Sequence, residues 1–419
     1  MRPRFTGLWR HPDFVRLWAG ETISIFGSLI GHLALQFTAI IWLGAGPLEI
    51  SVLGACQLVP AFVVGLAAGA WVDRLHRRPI MIAADIGRGL LLATVPLAAL
   101  LDALTLWHLC AVALAASGLT MFFDVAYEAY LPTLVERDQL VEGNSKLAAS
   151  ASVAEVGAFG IAGWLVQVLS GPGAVLVDSL SFFASAFFVG RIRTDEPARP
   201  ASHERQALWR EVREGARVLI HQRLVRSLTL INVLLMFASR IVSVTFLIYL
   251  AGEVGFEPGT LGMIFAVGGV TSLAGAFFAS RPHLFGGLGP ALALSLFVRA
   301  AGALFMPLAT NVSATGVALL VANQFADPAW TFFEVNVVSL RQRLIPDRLL
   351  GRVNATIRFT EFGAMLLGTV VGGVLGQVIG LRETLFVAVG LMFAAGLVFV
   401  VSPVAALRTA PEPLAADSG

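Results

Sequence analysis

The chain alternates long apolar runs with short polar breaks. The runs lie at about 14–43, 48–71, 79–101, 105–128, 147–169, 172–191, 226–250, 260–280, 290–309, 313–337, 355–379 and 382–402. Each is near the ~20 residues that cross ~30 Å of hydrocarbon as a helix. An isolated strand would leave backbone groups unpaired in lipid, so the runs predict helices. Turn-forming residues mark the breaks: Gly46-Pro47, Asp102, Gly171-Pro172-Gly173, Glu257-Pro258-Gly259, Thr310-Asn311 and Arg382-Glu383. The expected fold is an all-α membrane protein of twelve transmembrane helices.

The longest break spans residues 192–225. It opens with Thr194-Asp195-Glu196-Pro197 and Pro200, which read as linker. From Glu204 onward Leu208, Val212, Ala216, Leu219 and Ile220 recur at helical spacing among arginines. That pattern predicts an amphipathic helix on the inner membrane surface. The expected domains are therefore a six-helix bundle at 1–191, a cytoplasmic linker at 192–225, a second bundle at 226–405 and a tail at 406–419. The last ten residues, Ala410 to Gly419, are polar and expected to be disordered.

A shift of 210 residues aligns the two halves. Phe122-Phe123-Asp124-Val125 falls on Phe332-Phe333-Glu334-Val335, and Leu134, Leu140 and Asn144 fall on Leu344, Leu350 and Asn354. Gly163, Leu165, Gln167 and Val168 fall on Gly373, Leu375, Gln377 and Val378. The apolar matches carry little weight in so apolar a chain; the Asn, Gln and acidic matches carry more. The two bundles are expected to be pseudo-symmetric.

Composition agrees that lipid is the solvent. Of the 419 residues 57% are hydrophobic and 13% charged, with mean hydropathy +0.80; soluble domains carry about 25% charged residues. Cys56 and Cys110 stand far apart inside apolar runs and read as small buried hydrophobes. Net charge is +2, but its distribution matters more. With both termini inside, 25 of the 29 basic residues fall in the cytoplasm, Arg88, Arg240 and Arg299 fall in helices, and Arg382 falls outside. The reverse orientation would violate the positive-inside rule. The first apolar run is too long for a signal-peptide core and is expected to be retained.

The break between runs two and three reads Gly69-Ala70-Trp71-Val72-Asp73-Arg74-Leu75-His76-Arg77-Arg78. This G-x-x-x-D-R-x-x-R-R pattern resembles the signature loop between helices 2 and 3 of the major facilitator superfamily. Leu131-Pro132-Thr133-Leu134-Val135 with Asn144, the stretch Ile345 to Ala355, and Asp85-Ile86-Gly87-Arg88 are similar to the drug:proton antiporter branch that holds macrolide exporters and the enterobactin exporter. The chain differs from many antiporters of the superfamily in having no arginine in helix 4 and no proline in the Gly157–Gly163 stretch of helix 5. The resemblance implies the major facilitator fold, with helices 1, 4, 7 and 10 lining a cavity between the bundles. It also implies a gating role for Gly69, Asp73, Arg74, Arg77, Arg78, Asp85 and Arg88, with Asp73 meeting the positive end of helix 11 near Asn354.

A charge in hydrocarbon marks a pathway by default. Glu155, about eight residues into helix 5, is a candidate proton-coupling carboxylate or a structural partner of Arg240. Ser24, Ser28, His32 and Gln36 recur every four residues along one face of helix 1. By the resemblance this stripe faces substrate, with Arg240, Phe123 and Phe333. His32 could titrate near neutrality or simply pack. Glu21 could couple protons or be hydrated near the inner surface. Asp124 and Glu334, at equivalent places on helices 4 and 10, are either an inner gate pairing with arginines such as Arg341 or Arg137, or ordinary interfacial charges.

No G-x-x-x-x-G-K-[ST], H-E-x-x-H or G-x-S-x-G motif and no metal-spaced Cys/His cluster occurs. No enzyme activity, cofactor, metal site or nucleic-acid partner is expected. The expectation is a bacterial inner-membrane secondary transporter, monomeric, exporting a hydrophobic or amphipathic small molecule against protons. The alternatives are a proton-coupled metabolite importer and a non-transporting receptor or scaffold on the same fold.

Overall fold

The structure, a computed structural model, describes residues 7–63, 75–194, 196, 216–217 and 219–409. Gly69, Asp73 and Arg74 of the signature loop, most of the expected linker and the last ten residues lie outside the described residues.

Every long element described is helical. In chain order they are α1 (Pro12–Phe37), α2 (Pro47–Val63), α3 (Arg77–Leu100) and α4 (Leu106–Leu134), followed by the continuous run Leu140–Gly190. That run bends at Ser170, where φ is 67° and ψ 168°, giving α5 (residues 140–169) and α6 (residues 171–190). Then come α7 (Arg223–Leu247), α8 (Pro258–Ala279) and α9 (Leu288–Ala303). Next is α10 in two pieces (Ala314–Gln324 and Asp327–Leu344), then α11 (Asp347–Val378) and α12 (Leu381–Val400).

Nine helices among the described residues are long and apolar enough to cross a membrane, with Leu140–Gly190 counted once. The expected twelve is not reached by that count. Of the second apolar run only Pro47–Val63 is described, and α10 is broken. Its break has a local cause: Pro328, second in the new helix, has no N–H to continue the old one. The α8 window is strongly apolar (hydropathy 1.8), yet only 28% of it is buried. Water would penalise such a surface; lipid does not.

The chain divides into two compact units. The first comprises Met1–Ala45, Val52–Ser202 and Glu257–Ala266, the second Gly46–Ser51, His203–Phe256 and Val267–Gly419. In the first, α1 packs along α5 and α6, and α3 packs on α6 and α4. Pro12 starts α1 with φ already set, and His11 Nδ1 caps it by accepting from Phe14 N at 3.1 Å. Asp13 ties that start to the end of α6: it accepts from Arg193 N (3.2 Å), Thr194 N (3.0 Å) and Thr194 Oγ1 (2.7 Å). A core of Leu8, Phe14, Leu17, Met81, Tyr130 and Leu134 fills this end. In the second unit α7 packs on α11 and α12, and α9 on α12 and α10, around Leu228, Leu292, Phe332, Phe333, Ile357 and Phe399.

The 210-residue repeat reappears in the backbone. α1 runs on into a π-helical turn at Thr38–Trp42, and α7 into one at Ile248–Val254. Ser170 and Gly380 are also 210 residues apart and share a left-handed, extended conformation: Gly380 has φ 97° and ψ 157°. Only glycine takes that conformation without strain. Ser170→Gly should therefore raise the thermal midpoint of the solubilised protein, by roughly 1 kcal/mol of relieved strain, and Gly380→Ala should lower it by at least as much. A fluorescence-detected melting curve of each variant checks both signs.

Candidate functional site

The densest ionic cluster described lies inside the first unit. Asp85 and Arg88 are one turn apart on α3, so they share a face, and both are buried, at 0% and 4% exposure. Arg88 Nη2 donates to Asp85 Oδ1, and Nη1 donates to Thr120 Oγ1 of α4 at 3.3 Å. Two aromatic faces sandwich the guanidinium: Phe123 of α4 at 4.4 Å and Phe182 of α6 at 4.1 Å. Three more carboxyl groups feel its charge: Glu21 on α1, Asp124 on α4 and Asp178 on α6.

These four acids are not equally accessible. Asp85 and Asp178 are buried, Glu21 is half-buried with Oε2 sealed, and Asp124 is exposed. Asp178 is pressed against Gly27 and Gly31 of α1 and accepts from Ser181 Oγ at 3.4 Å. Glu21 Oε2, Asp85 Oδ2 and Arg88 Nε are buried without a hydrogen-bond partner among the described residues. Among the described contacts Arg88 pairs with Asp85, while Glu21, Asp124 and Asp178 lie within range of its charge. The arrangement is short of positive charge, and its acids step from an open one to sealed ones.

The end of the signature loop holds α6. Arg78 donates from Nε to Val189 O (3.2 Å) and from Nη2 to Gly190 O (2.5 Å), a cation on a helix C-terminus. Arg77, 2% exposed, donates its backbone N–H to Glu196 Oε2 at 2.7 Å and faces Glu196 Oε1 at 3.6 Å. Burial lifts the Glu196 carboxyl above its usual range, offset in part by a backbone N–H and by His76.

Two helix crossings show why the repeat keeps its glycines and glutamines. In the first unit Gly163 of α5 lies against Pro258 O and the Gly262 backbone, where no Cβ fits. Gln167 Oε1 accepts from Gly259 N at 3.0 Å, and its Nε2 donates to Glu257 Oε2 at 2.9 Å. In the second unit Gly373 of α11 lies against Ser51 and Pro47 O, and Gln377 Oε1 lies beside Gly46. Small residues let the helices touch backbone to backbone.

The remaining sequence-predicted residues are scattered. Ser24 is buried and spends its hydroxyl on Glu21 O at 3.1 Å. Ser28 is half-buried, while His32 is exposed and hydrogen-bonds Gln36 at 3.1 Å. Glu155 is exposed on α5, and Arg240 is half-buried beside Gly368. Phe333, 1% exposed, packs in the core of the second unit and stacks on Trp330 at 6.1 Å. Phe123 belongs to the Arg88 cluster. Glu334 is exposed on α10, and Asn354 sits half-buried in α11. Arg341, expected as a gate partner, faces Glu361 at 3.4 Å, and Asn232 Nδ2 donates to the same Glu361 oxygen at 2.5 Å. The Arg137 side chain lies outside what is described. Asp178, Glu361 and Asp327, which pairs with Arg299 at 3.3 Å, did not figure in the sequence reading. Each is an acid inside a largely apolar segment, which was signal enough.

The sequence model of the family described as "Transmembrane secretion effector" matches residues 6–415. The chain belongs to that family of major facilitator transporters. It is a multi-pass membrane transporter, not an enzyme. It is 25% identical over 404 residues to the uncharacterized MFS-type transporter YfiS of Bacillus subtilis, covering 92% of each chain. It is 26% identical over 372 residues to the multidrug efflux pump Tap of Mycolicibacterium fortuitum, covering 85% of this chain and 87% of that one. Among solved structures, a bacterial homologue of the iron transporter ferroportin, in an inward-facing state, superposes with a TM-score of 0.77 at 19% identity. That superposition covers 94% of this chain and 99% of the other, and it establishes the fold.

Proposed function

We propose that this transporter exports a hydrophobic or amphipathic small molecule from a bacterial cell, driven by protons moving inward. The two halves, near residues 1–191 and 226–405, would alternate access with both termini in the cytoplasm. The observation that carries the proton part is the buried Asp85–Arg88 pair, with Asp85 Oδ2 and Glu21 Oε2 buried without hydrogen-bond partners among the described residues and Asp124 and Asp178 within range of the same charge. Unpaired charges in a membrane interior cost several kcal/mol, so the surplus carboxyl groups are seats for protons. Asp124, the open member, is the entry, and Asp85 beside Arg88 is the seat whose occupancy frees or holds the arginine. Likeness to a multidrug efflux pump supports the outward direction. Glu155 and His32 stay outside this role.

The test is a resistance panel of hydrophobic antibiotics in an efflux-deficient bacterium, followed by transport in everted vesicles. Expression should raise resistance to at least one compound. Collapsing the pH gradient should stop that transport, and Asp85→Asn should reduce it at least about tenfold while counterflow without a gradient survives. Gradient-driven transport at wild-type rate in Asp85→Asn would overturn the proton assignment. Unchanged resistance across the panel, with accumulation of a metabolite instead, would overturn export.

A further inference from the structure

In the second unit a cavity of about 600 Å3 opens where α8, the turn after it, α10 and the segment following α12 meet. Its polar lining is Ser280, His283, Asn336, Ser339, Arg343 and Arg408, with Thr409 at the rim. Two of these groups are permanent cations, and none of the described lining residues is an Asp or Glu. Arg408 is held in place: its Nη1 donates to Gly286 O at 2.5 Å, and its carbonyl accepts from Leu288 N at 3.1 Å. Leu407 O accepts from Gly289 N at 2.7 Å, so the segment after α12 forms a fixed wall. A soluble protein would place such a pocket in water. Here it lies among helix ends rich in arginine, which the positive-inside rule sets at the cytoplasmic leaflet.

A separate apolar groove of about 190 Å3 lies on the same helices, α8, α9 and α10. Its walls are Phe278, Phe285, Leu294, Val298, Phe325 and Phe332. Ala279 lines the basic cavity and Phe278 the groove; Pro282 and His283 line the cavity and Phe285 the groove. From Ala291 to Val298 the groove follows α9 for about 10 Å at the helical rise. Five of its walls stay open: Phe278 38%, Phe285 40%, Leu294 48%, Val298 40% and Phe325 64% exposed.

A basic pocket at the inner interface, with an apolar groove next to it on the same helices, offers the two parts that one ligand with a charged head and an apolar chain would need. We infer that this site binds an anionic phospholipid of the inner leaflet. The phosphate sits between Arg343 and Arg408 with hydroxyl donors from Ser280 and Ser339, and one acyl chain lies along Phe285, Leu294 and Val298. A free phosphate would leave the groove empty, and a zwitterionic lipid would bring a cation into a pocket that already has two.

Native mass spectrometry of the delipidated full-length protein tests this, with dioleoyl-phosphatidylglycerol, dioleoyl-phosphatidylcholine and inorganic phosphate as probes. Phosphatidylglycerol should be retained in preference to phosphatidylcholine. Each arginine near an anionic surface contributes enough that Arg343→Ala with Arg408→Ala should weaken binding about 30-fold. Arg191→Ala, on the first unit, should leave it unchanged. Should the double variant fold poorly, Ser339→Trp keeps both cations and fills the cavity; it should also lose the lipid. Equal retention of both lipids would overturn the inference. So would displacement of the lipid by millimolar phosphate, which would make this a phosphate site. An effect of Arg191→Ala as large as that of the double variant would do the same, because attraction would then be diffuse.

Discussion

Arg88→Ala should cost the transporter about 3–5 kcal/mol of stability, more than any other single substitution in the first unit, because it strands a buried charge. Asp85 is 0% exposed and would lose its ion-pair partner, and Phe123 and Phe182 would lose the cation between them. The expected readout is a sharp fall in the yield of monodisperse protein and in its melting midpoint. A second variant separates structure from mechanism. Exchanging the pair for apolar residues, Asp85→Leu with Arg88→Met, removes both charges together, and such replacements are often neutral or stabilising. That double variant should melt within a few degrees of the parent yet carry out no proton-driven transport. If Arg88→Ala melts like the parent, the cluster is hydrated rather than sealed. If the double variant still couples transport to protons, the pair is only structural.

Much of this was legible before any coordinates, for a physical reason. Lipid forces every spanning segment to pair its own backbone, so hydropathy alone marks the helices. It fails where helices leave the membrane. The apolar runs predict helices beginning near residues 147 and 355, but α5 starts at Leu140 and α11 at Asp347. Those first turns are polar, and hydropathy does not register a helix that continues into water. The turn expected at Gly171-Pro172-Gly173 contracts to one residue, Ser170, because α6 restarts immediately with Pro172 in its first turn. The apolar run at 313–337 predicts one helix, and Asp327-Pro328 is the sequence signal of the break in α10.

The site was legible one residue at a time. Glu21, Arg88 and Asp124 stand out as charges within apolar runs, and Asp85 enters through the family resemblance of Asp85-Ile86-Gly87-Arg88. Their meeting around one guanidinium could not be read, because it depends on how α1, α3, α4 and α6 cross. The same crossings turn Phe123, expected to face cargo, into one wall of the arginine. The paired glycines and glutamines were visible as a repeat but carried no meaning until their partners were known. Gly163 and Gln167 meet the start of α8, and Gly373 and Gln377 meet the start of α2.

Gly163→Leu and Gly373→Leu should each hold those crossings apart. A Cβ at Gly163 would lie 2.8 Å from the Gly262 Cα and 2.9 Å from its nitrogen, and one at Gly373 would lie 3.0 Å from Pro47 O. Backbone cannot swing away as a side-chain tip can. Overpacking of this kind costs about 1–3 kcal/mol, which lowers the population of the closed contact about 5- to 150-fold. A carrier must close each end in every cycle, so turnover should fall by a similar factor while insertion and yield stay normal. The direct measurement is labelling of Glu257→Cys by a membrane-impermeant maleimide, with Cys56 and Cys110 replaced by alanine. Gly163→Leu should speed that labelling several-fold. Gly390→Leu on α12 is the matched control, since a Cβ there meets nothing within 4 Å, and it should be silent. Normal turnover with unchanged labelling in Gly163→Leu would mean that this crossing never opens. The glycine would then serve static packing, and the gate would have to be sought elsewhere.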